Sequence, residues 1–154
     1  MRFDVLDMDH LDSFAMLDTN DFMVNDMFPL TDAYGMYDEK KPIGLMLMSQ
    51  NKDRMVITWM NVAPTYQDQG VADFFLAAAF VEARDKGVSK LVAYLSEENV
   101  SKDKLPEIEL YLREHLFKEE KPVPAEKGGG KLLIADVEDF DSELTLAEMM
   151  EEIQ

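Results

Sequence analysis

Between a run that reads as a strand, MVITWMNV, and one that reads as a helix, VADFFLAAAFVEARDKG, stand Gln67, Asp68, Gln69, Gly70, Val71 and Ala72. A glycine where a strand gives way to a helix lets backbone N–H groups approach an anion, because the helix N-terminus carries unpaired donors and a partial positive charge. Gly70 has no side chain to block a phosphate, and Ala72 is small. Two aspartates oppose that chemistry. Asp68 and Asp73 would each cost on the order of 1 kcal/mol beside a phosphate at a screened surface site. Asp73 also has a plain structural role, since an acid in the first helical turn suits the dipole. Taken alone Gly70 could be a simple turn, but the strand before it and the helix after it favour the anion site.

The chain that must hold these residues has 154 residues, the size of one domain, and at 47% hydrophobic and 10% aromatic it is apolar enough to fold despite a net charge of -17. It has no cysteine, which removes disulfides, thiolate metal sites and a cysteine nucleophile. The start, MRFDVLDMDH, carries acids where a secretory signal carries Lys and Arg, and FFLAAAFV is too short to span a bilayer. The expectation is a soluble, cytoplasmic protein. Residues 1–39 hold 10 Asp/Glu against one Arg, residues 132–154 hold 8 with no Lys or Arg, and residues 40–131 hold 14 of each sign. Acidity therefore belongs to the two ends, as a solvated surface or as a field that steers a cationic partner. Nucleic acid is disfavoured, because no basic patch could neutralise phosphates.

The elements follow in an ordered alternation. RFDVL reads as a strand, and DHLDSFAML as a helix with Leu11, Phe14, Ala15 and Met16 at helical spacing. TNDFMVNDMFP reads as a short helix or loop ended by Pro29. DAYGMYD, PIGLMLMSQ and Met55 to Val62 read as a three-strand meander. The helix after Gly70 ends at Gly87, and SKLVAYLS is a strand apolar on both faces, which completes a βαβ crossover. PEIELYLREHLF is a further helix, FKEEKPV and KLLIADV are the last strands, and Gly128 to Gly130 lie in their connection. LTLAEMMEEIQ opens with Thr145 and Glu148 at capping-box spacing. The expected fold is a mixed, largely antiparallel α/β sheet with a central crossover and flanking helices, one domain over 1–140, and an acidic helix or tail over 141–154.

VAPTYQDQGVA, Val62 to Ala72, resembles the acetyl-CoA signature of the GNAT acyltransferase family, Gln/Arg-x-x-Gly-x-Gly/Ala, and the order of elements is similar to that family over nearly the whole chain. The resemblance implies a GNAT-like fold and an N-acyltransferase that moves an acetyl group from acetyl-CoA to a primary amine by direct attack. It implies that Gln67, Asp68, Gln69, Gly70, Val71 and Ala72 cradle the cofactor's pyrophosphate, with the backbone amides of Gln69 to Ala72 as donors. It also implies that Met60, Asn61 and Val62 splay from the neighbouring strand to bind the pantetheine arm, that the Val62 amide polarises the thioester carbonyl, and that Asn99 helps bind the cofactor.

The chain departs from the family pattern at several positions. Arg or Lys is common in this loop in the family, and here Asp68 stands there. A carboxylate base is often found on the strand before the signature, and RMVITWMNV has none, leaving Thr58 or Asn61 to order a water. The family's tyrosine acid lies five residues before a Gly-Phe pair; counting back from Phe117 lands on Leu112, the glycine is replaced by Leu116, and Tyr111 is the adjacent candidate for proton donor. The expected acceptor is a small-molecule or peptide amine, cationic before it loses its proton, and a homodimer is compatible with the sequence. The other function class is a catalytically degenerate ligand-binding or protein-interaction module on the same fold. No metal site is expected: DVLDMDHLDSF lacks the glycine and final glutamate of a calcium loop, and His10 and His115 are far apart without cysteines.

Overall fold

The computed structural model describes residues 1–18, 32–97, 100, 102–140 and 146–153. Among them seven strands form one sheet: β1 Arg2–Val5, β2 Asp32–Asp38, β3 Lys41–Asn51, β4 Arg54–Val62, β5 Lys90–Leu95, β6 Phe117–Pro122 and β7 Lys131–Asp136. Their order across the sheet is β1-β2-β3-β4-β5-β7-β6. Every pair is antiparallel except β4 and β5, which run parallel because helix α2, Val71–Asp85, carries the chain back between them. This is the mixed α/β sheet that the sequence predicts, with the crossover at its centre.

Side chains on the two faces of the sheet build two cores. Met46, Met55, Ile57, Leu91, Ala93 and Leu95 face α2, helix α3, Leu105–Glu114, and helix α4, Leu146–Ile153. Leu45, Leu47, Val56, Trp59, Val92 and Tyr94 face the N-terminal segment. On the helical face α2 is apolar nearly all round, with Phe74, Phe75, Phe80 and three consecutive alanines, Ala77 to Ala79, buried. Its first turn sits close on β3: a side chain at Gly44 would meet the Phe75 ring at 2.8 Å and Val71 at 3.2 Å. The helix ends as expected at Gly87, with the N–H of Val88 donating to the carbonyl of Ala83 at 3.1 Å. The acidic C-terminal segment also packs here, with Leu146, Met149 and Met150 of α4 against the same core.

The N-terminal segment corrects one expectation. Only Met8–Leu11 form an α-turn, α1, and Asp12–Leu17 continue as a 3-10 helix. Three residues per turn put Leu11, Phe14 and Leu17 on the sheet side, whereas Met16, placed by α-helical spacing on the apolar stripe, is 76% exposed. TNDFMVNDMFP, Asn99 and Thr145 lie outside the described residues.

A break in β4 positions everything that follows. Leu47 pairs with Trp59 and Met48 with Ile57, so Thr58 is an extra residue that the β3–β4 register skips. Residues two apart in a regular strand share a face, yet Ile57 faces the helices and Trp59 the opposite side. The bulge has turned the strand over. The parallel ladder to β5 stops at Ile57 and Ala93, one residue before the bulge, as expected where a bulge bends and twists a strand. From Thr58 onward β4 has lost β5 as its neighbour.

Candidate active site

The unpaired end of β4 presents backbone groups to the gap. Ala63 N–H donates to the carbonyl of Ile43 on β3 at 2.8 Å. Hydrogen-bonding direction alternates along an antiparallel strand, so the N–H groups of Met60 and Val62 turn away from β3, toward the side that β5 has vacated. Asn61, between them, points its side chain to the opposite face and donates from Nδ2 to the carbonyl of Leu17 at 3.0 Å. Thr58 is 2% exposed, with its hydroxyl donating to Leu47 O at 3.2 Å, so it is built into the bulge and does not reach the gap.

The loop from β4 to α2 returns to this strand end. The two glutamines lace it: Gln67 Nε2 donates to Val62 O at 3.2 Å, and Gln69 donates from its amide to Tyr66 O at 3.3 Å and from Nε2 to Thr65 O at 3.5 Å. Gly70 caps α2 at φ 82°, ψ 8°, a left-handed conformation that side chains resist, and no side chain caps the helix. The first bond of the helical turn runs from Phe74 N–H to Gly70 O at 3.0 Å. The N–H groups of Val71 and Ala72, at the start of the helix, therefore have no intrahelical acceptor. Asp68 is exposed on the loop.

Asp73 is occupied in a way the sequence did not disclose. The Tyr111 hydroxyl on α3 donates to its Oδ1, tying α3 to the first turn of α2. Tyr111 also packs against His115 with ring centroids 4.3 Å apart and the rings tilted by 36°, and His115 Nδ1 lies 2.7 Å from the Tyr111 carbonyl oxygen. Burial first, and the bond to Asp73 second, hold the Tyr111 phenol above its ordinary range, so it is protonated at neutral pH. Leu112, the residue that counting from Phe117 selects, is buried in the core, and Leu116 holds φ 81°, a backbone conformation suited to glycine. No hint of the Tyr111–Asp73 bond exists in either local sequence pattern, because it joins residues 38 apart.

A cavity of about 1010 Å³ lies on the other side of α3, between its first turns, the end of β5 and Gly128 to Gly130. Glu109 and Arg113 line it, and Glu109 projects about 200° from Tyr111 around the helix. Its charges are largely spent on one another. Lys131 Nζ lies 2.5 Å from Glu109 and 2.7 Å from Glu120, and Arg113 Nε lies 3.0 Å from Glu109. These contacts lower the Glu109 carboxyl and raise the Lys131 ammonium from their usual ranges, bracing α3 on the β6–β7 hairpin.

Gly70 at the head of α2, the vacated side of β4 and the α3 tyrosine thus meet at one end of the sheet. The acetyltransferase (GNAT) family model matches residues 6–116, which contain all three. The chain belongs to this family. Among solved structures the GNAT chain is similar to a PaiA N-acetyltransferase from Thermoplasma acidophilum in complex with coenzyme A, at 11% identity, covering 88% of this chain and 99% of that one with a TM-score of 0.63. It is also similar to an IAA acetyltransferase from Bacillus cereus, at 14% identity, 88% and 98% coverage and a TM-score of 0.64. A ribosomal-protein alanine N-acetyltransferase from Escherichia coli is alike at 15% identity, 94% and 98% coverage and a TM-score of 0.61. At these identities the likeness establishes the fold, and no curated protein matches the sequence. No helix among the described residues is long and apolar enough to cross a membrane.

Proposed function

We propose that the protein is an acetyl-CoA-dependent N-acetyltransferase acting on a cationic small-molecule or peptide amine. The observation that carries this reading is the coincidence of a left-handed glycine at the head of α2 with a β4 end whose Met60 and Val62 amides face an unpaired gap. Acetyl-CoA would supply an activated acyl group. The amides of Gly70, Val71 and Ala72, with that of Gln69 at the edge, suit its pyrophosphate, and the loop of Gln67 and Asp68 shapes the cradle. Met60, Asn61 and Val62 would hold the pantetheine arm, with the Val62 N–H donating to the thioester oxygen. A neutral amine nitrogen would form the new C–N bond as the C–S bond breaks and then release its extra proton to solvent, with Tyr111 as the proton donor to the departing sulfur. Asn99 is retained as a cofactor contact on the family resemblance. The structural neighbours named for coenzyme A and for a protein alanine amine support the cofactor class and an amine acceptor.

Calorimetric titration of acetyl-CoA tests the cradle. Wild type should bind, and Gly70→Glu, which puts a carboxylate on the anion site, should weaken binding by about a hundredfold or more. No binding by wild type at low or moderate salt would overturn the reading. It would favour the second one, a catalytically silent binding module, whose specific support is that Tyr111 already spends its proton on Asp73 and that β4 carries no carboxylate.

A further inference from the structure

The acetyltransferase reading seats the cofactor's pyrophosphate on the amides at the head of α2, and that seat is short of positive charge. From Val62 to Asp73 the chain has no Lys or Arg, and it places Asp68 and Asp73 there instead. Backbone amides carry only partial charges, so a pyrophosphate bound among aspartates calls for a full cation from another element. The β2–β3 hairpin brings one to this end of the sheet.

The position of that cation follows from register. Tyr37 pairs with Pro42 and Asp38 with Lys41. Tyr37 packs into the core of the N-terminal face, so alternation along the strand turns Asp38, and Lys41 opposite it, to the face that carries α2. The helix lies along β3 on that face. A side chain at Gly44 would meet Val71 of its first turn at 3.2 Å, while Lys86, just past its end, lies 2.5 Å from Asp32, the residue paired with Met48. The helix therefore runs from the level of Gly44 toward that of Met48, and the N–H groups of its first turn point back the other way, toward Lys41. Three residues of strand, about 10 Å, separate Gly44 from Lys41. A phosphate and a lysine side chain together span that interval.

Tyr66 fixes the hairpin to the loop. Its hydroxyl donates to Asp38 Oδ2 at 2.6 Å, its ring centroid lies 5.7 Å from Lys41 Nζ, and its carbonyl accepts the Gln69 N–H at 3.3 Å. Asp38, the carboxylate opposite Lys41 in the ladder, is thereby engaged by a hydroxyl. Lys41 makes no ion pair among the described residues, whereas Lys86, Lys90, Lys118 and Lys131 each have a carboxylate partner. The ammonium that the loop lacks thus stands exposed at its edge, held beside it by an aromatic ring.

We propose that Lys41 is a cofactor-binding residue: its ammonium pairs with the pyrophosphate of acetyl-CoA at the head of α2 and supplies the charge that the loop itself does not carry. The assignment rests on the acetyltransferase reading for the ligand and on the hairpin geometry for the residue.

Coenzyme A and 3′-dephospho-coenzyme A, which keeps the pyrophosphate, are titrated calorimetrically at low and at moderate salt into wild type, Lys41→Gln, Lys41→Arg and Lys52→Gln. Lys41→Gln should lose about tenfold in affinity for both ligands, the size of one charge-assisted contact, and the loss should shrink as salt is raised. Lys41→Arg should stay within about threefold of wild type, since a guanidinium also pairs with phosphate. Lys52→Gln, which removes the same charge from the exposed turn at the far end of β3, should stay within about twofold. Equal affinity in wild type and Lys41→Gln, or equal losses in Lys41→Gln and Lys52→Gln, would overturn the assignment. So would a loss confined to coenzyme A, which would put Lys41 on the 3′-phosphate, or a loss untouched by salt, which would leave Lys41 only propping Tyr66. Binding of neither ligand by wild type would sink the cofactor reading and this assignment with it, whereas unchanged binding in Lys41→Gln sinks this assignment alone.

Discussion

The two halves of β4 share a strand and differ in almost everything else. Arg54 to Ile57 pair with β3 on one side and β5 on the other, and Met55, Val56 and Ile57 are buried between two cores. Thr58 to Val62 keep β3 alone, carry the strand's two uncharged polar side chains, and turn the amides of Met60 and Val62 to a gap. The first half is a sheet doing what a sheet does, satisfying its backbone internally. The second half gives up one ladder, and the groups that this releases are what a cofactor could use. One inserted residue separates the two.

The sharpest way to break this comparison is to damage the paired half and ask whether the open half notices. Leu91→Ala on β5 removes a fully buried side chain opposite Met55 and should cost about 3 kcal/mol, read from denaturant unfolding. Coenzyme A affinity of the folded variant should stay within about twofold. A large loss of affinity without unfolding would mean that the halves are mechanically coupled and that the gap is not an independent feature.

How far the sequence discloses each half follows from the same contrast. The paired half is legible because it is local: alternating or continuous apolar runs, a helix ended at Gly87, and a strand apolar on both faces specify the crossover. The open half is legible only where it runs into the loop, at Gly70 between strand and helix. MVITWMNV is apolar on both sides of Thr58, so nothing in its pattern marks the reversal of faces there. Its polar partners are also remote, since Asn61 and Trp59 reach Leu17 across 44 and 42 residues and Tyr111 reaches Asp73 across 38. Gln67 ties the loop to the carbonyl of Val62 at the end of β4 and Gln69 ties it to that of Thr65, contacts that the residue types alone do not mark. The 3-10 turn at Asp12–Leu17 escaped for a subtler reason, because spacings of three fit both helix types until Met16 is seen in solvent.

A finer test concerns the charge at the mouth of the gap. Asp73→Asn keeps an oxygen for the Tyr111 hydroxyl but removes a negative charge from the first turn of α2, so coenzyme A should bind about threefold more tightly, with the gain shrinking as salt is raised. The same variant separates the causes acting on Tyr111. Burial is the larger of them, so the phenol should move only part of the way back toward the ordinary tyrosine range, as followed by phenolate absorbance. The sign for stability follows. A phenol held above its unfolded value contributes stability that is intact below about pH 10 and lost as the pH rises beyond it, and Asp73→Asn should soften that alkaline loss. An unchanged coenzyme A affinity at low salt would place Asp73 away from the anion.

The smallest effect bears on the strand of chain that links α3 to β6. Leu116 holds φ 81°, which costs a non-glycine residue about 1–2 kcal/mol, and its side chain rests partly buried against the helical-face core. Replacing it with alanine forfeits the packing and keeps the strain. Replacing it with glycine forfeits the packing, releases the strain, and adds about 0.4–1 kcal/mol of unfolded-chain entropy. Leu116→Gly should therefore be less destabilising than Leu116→Ala by about 0.5 kcal/mol, the reverse of the usual order of these two residues. Chemical unfolding of the pair, read as a difference, measures this directly. Alanine at or above glycine would show that the turn relaxes without the left-handed residue, and α3 would then owe its placement to the Lys131, Glu109 and Arg113 contacts and to the Tyr111 bond with Asp73.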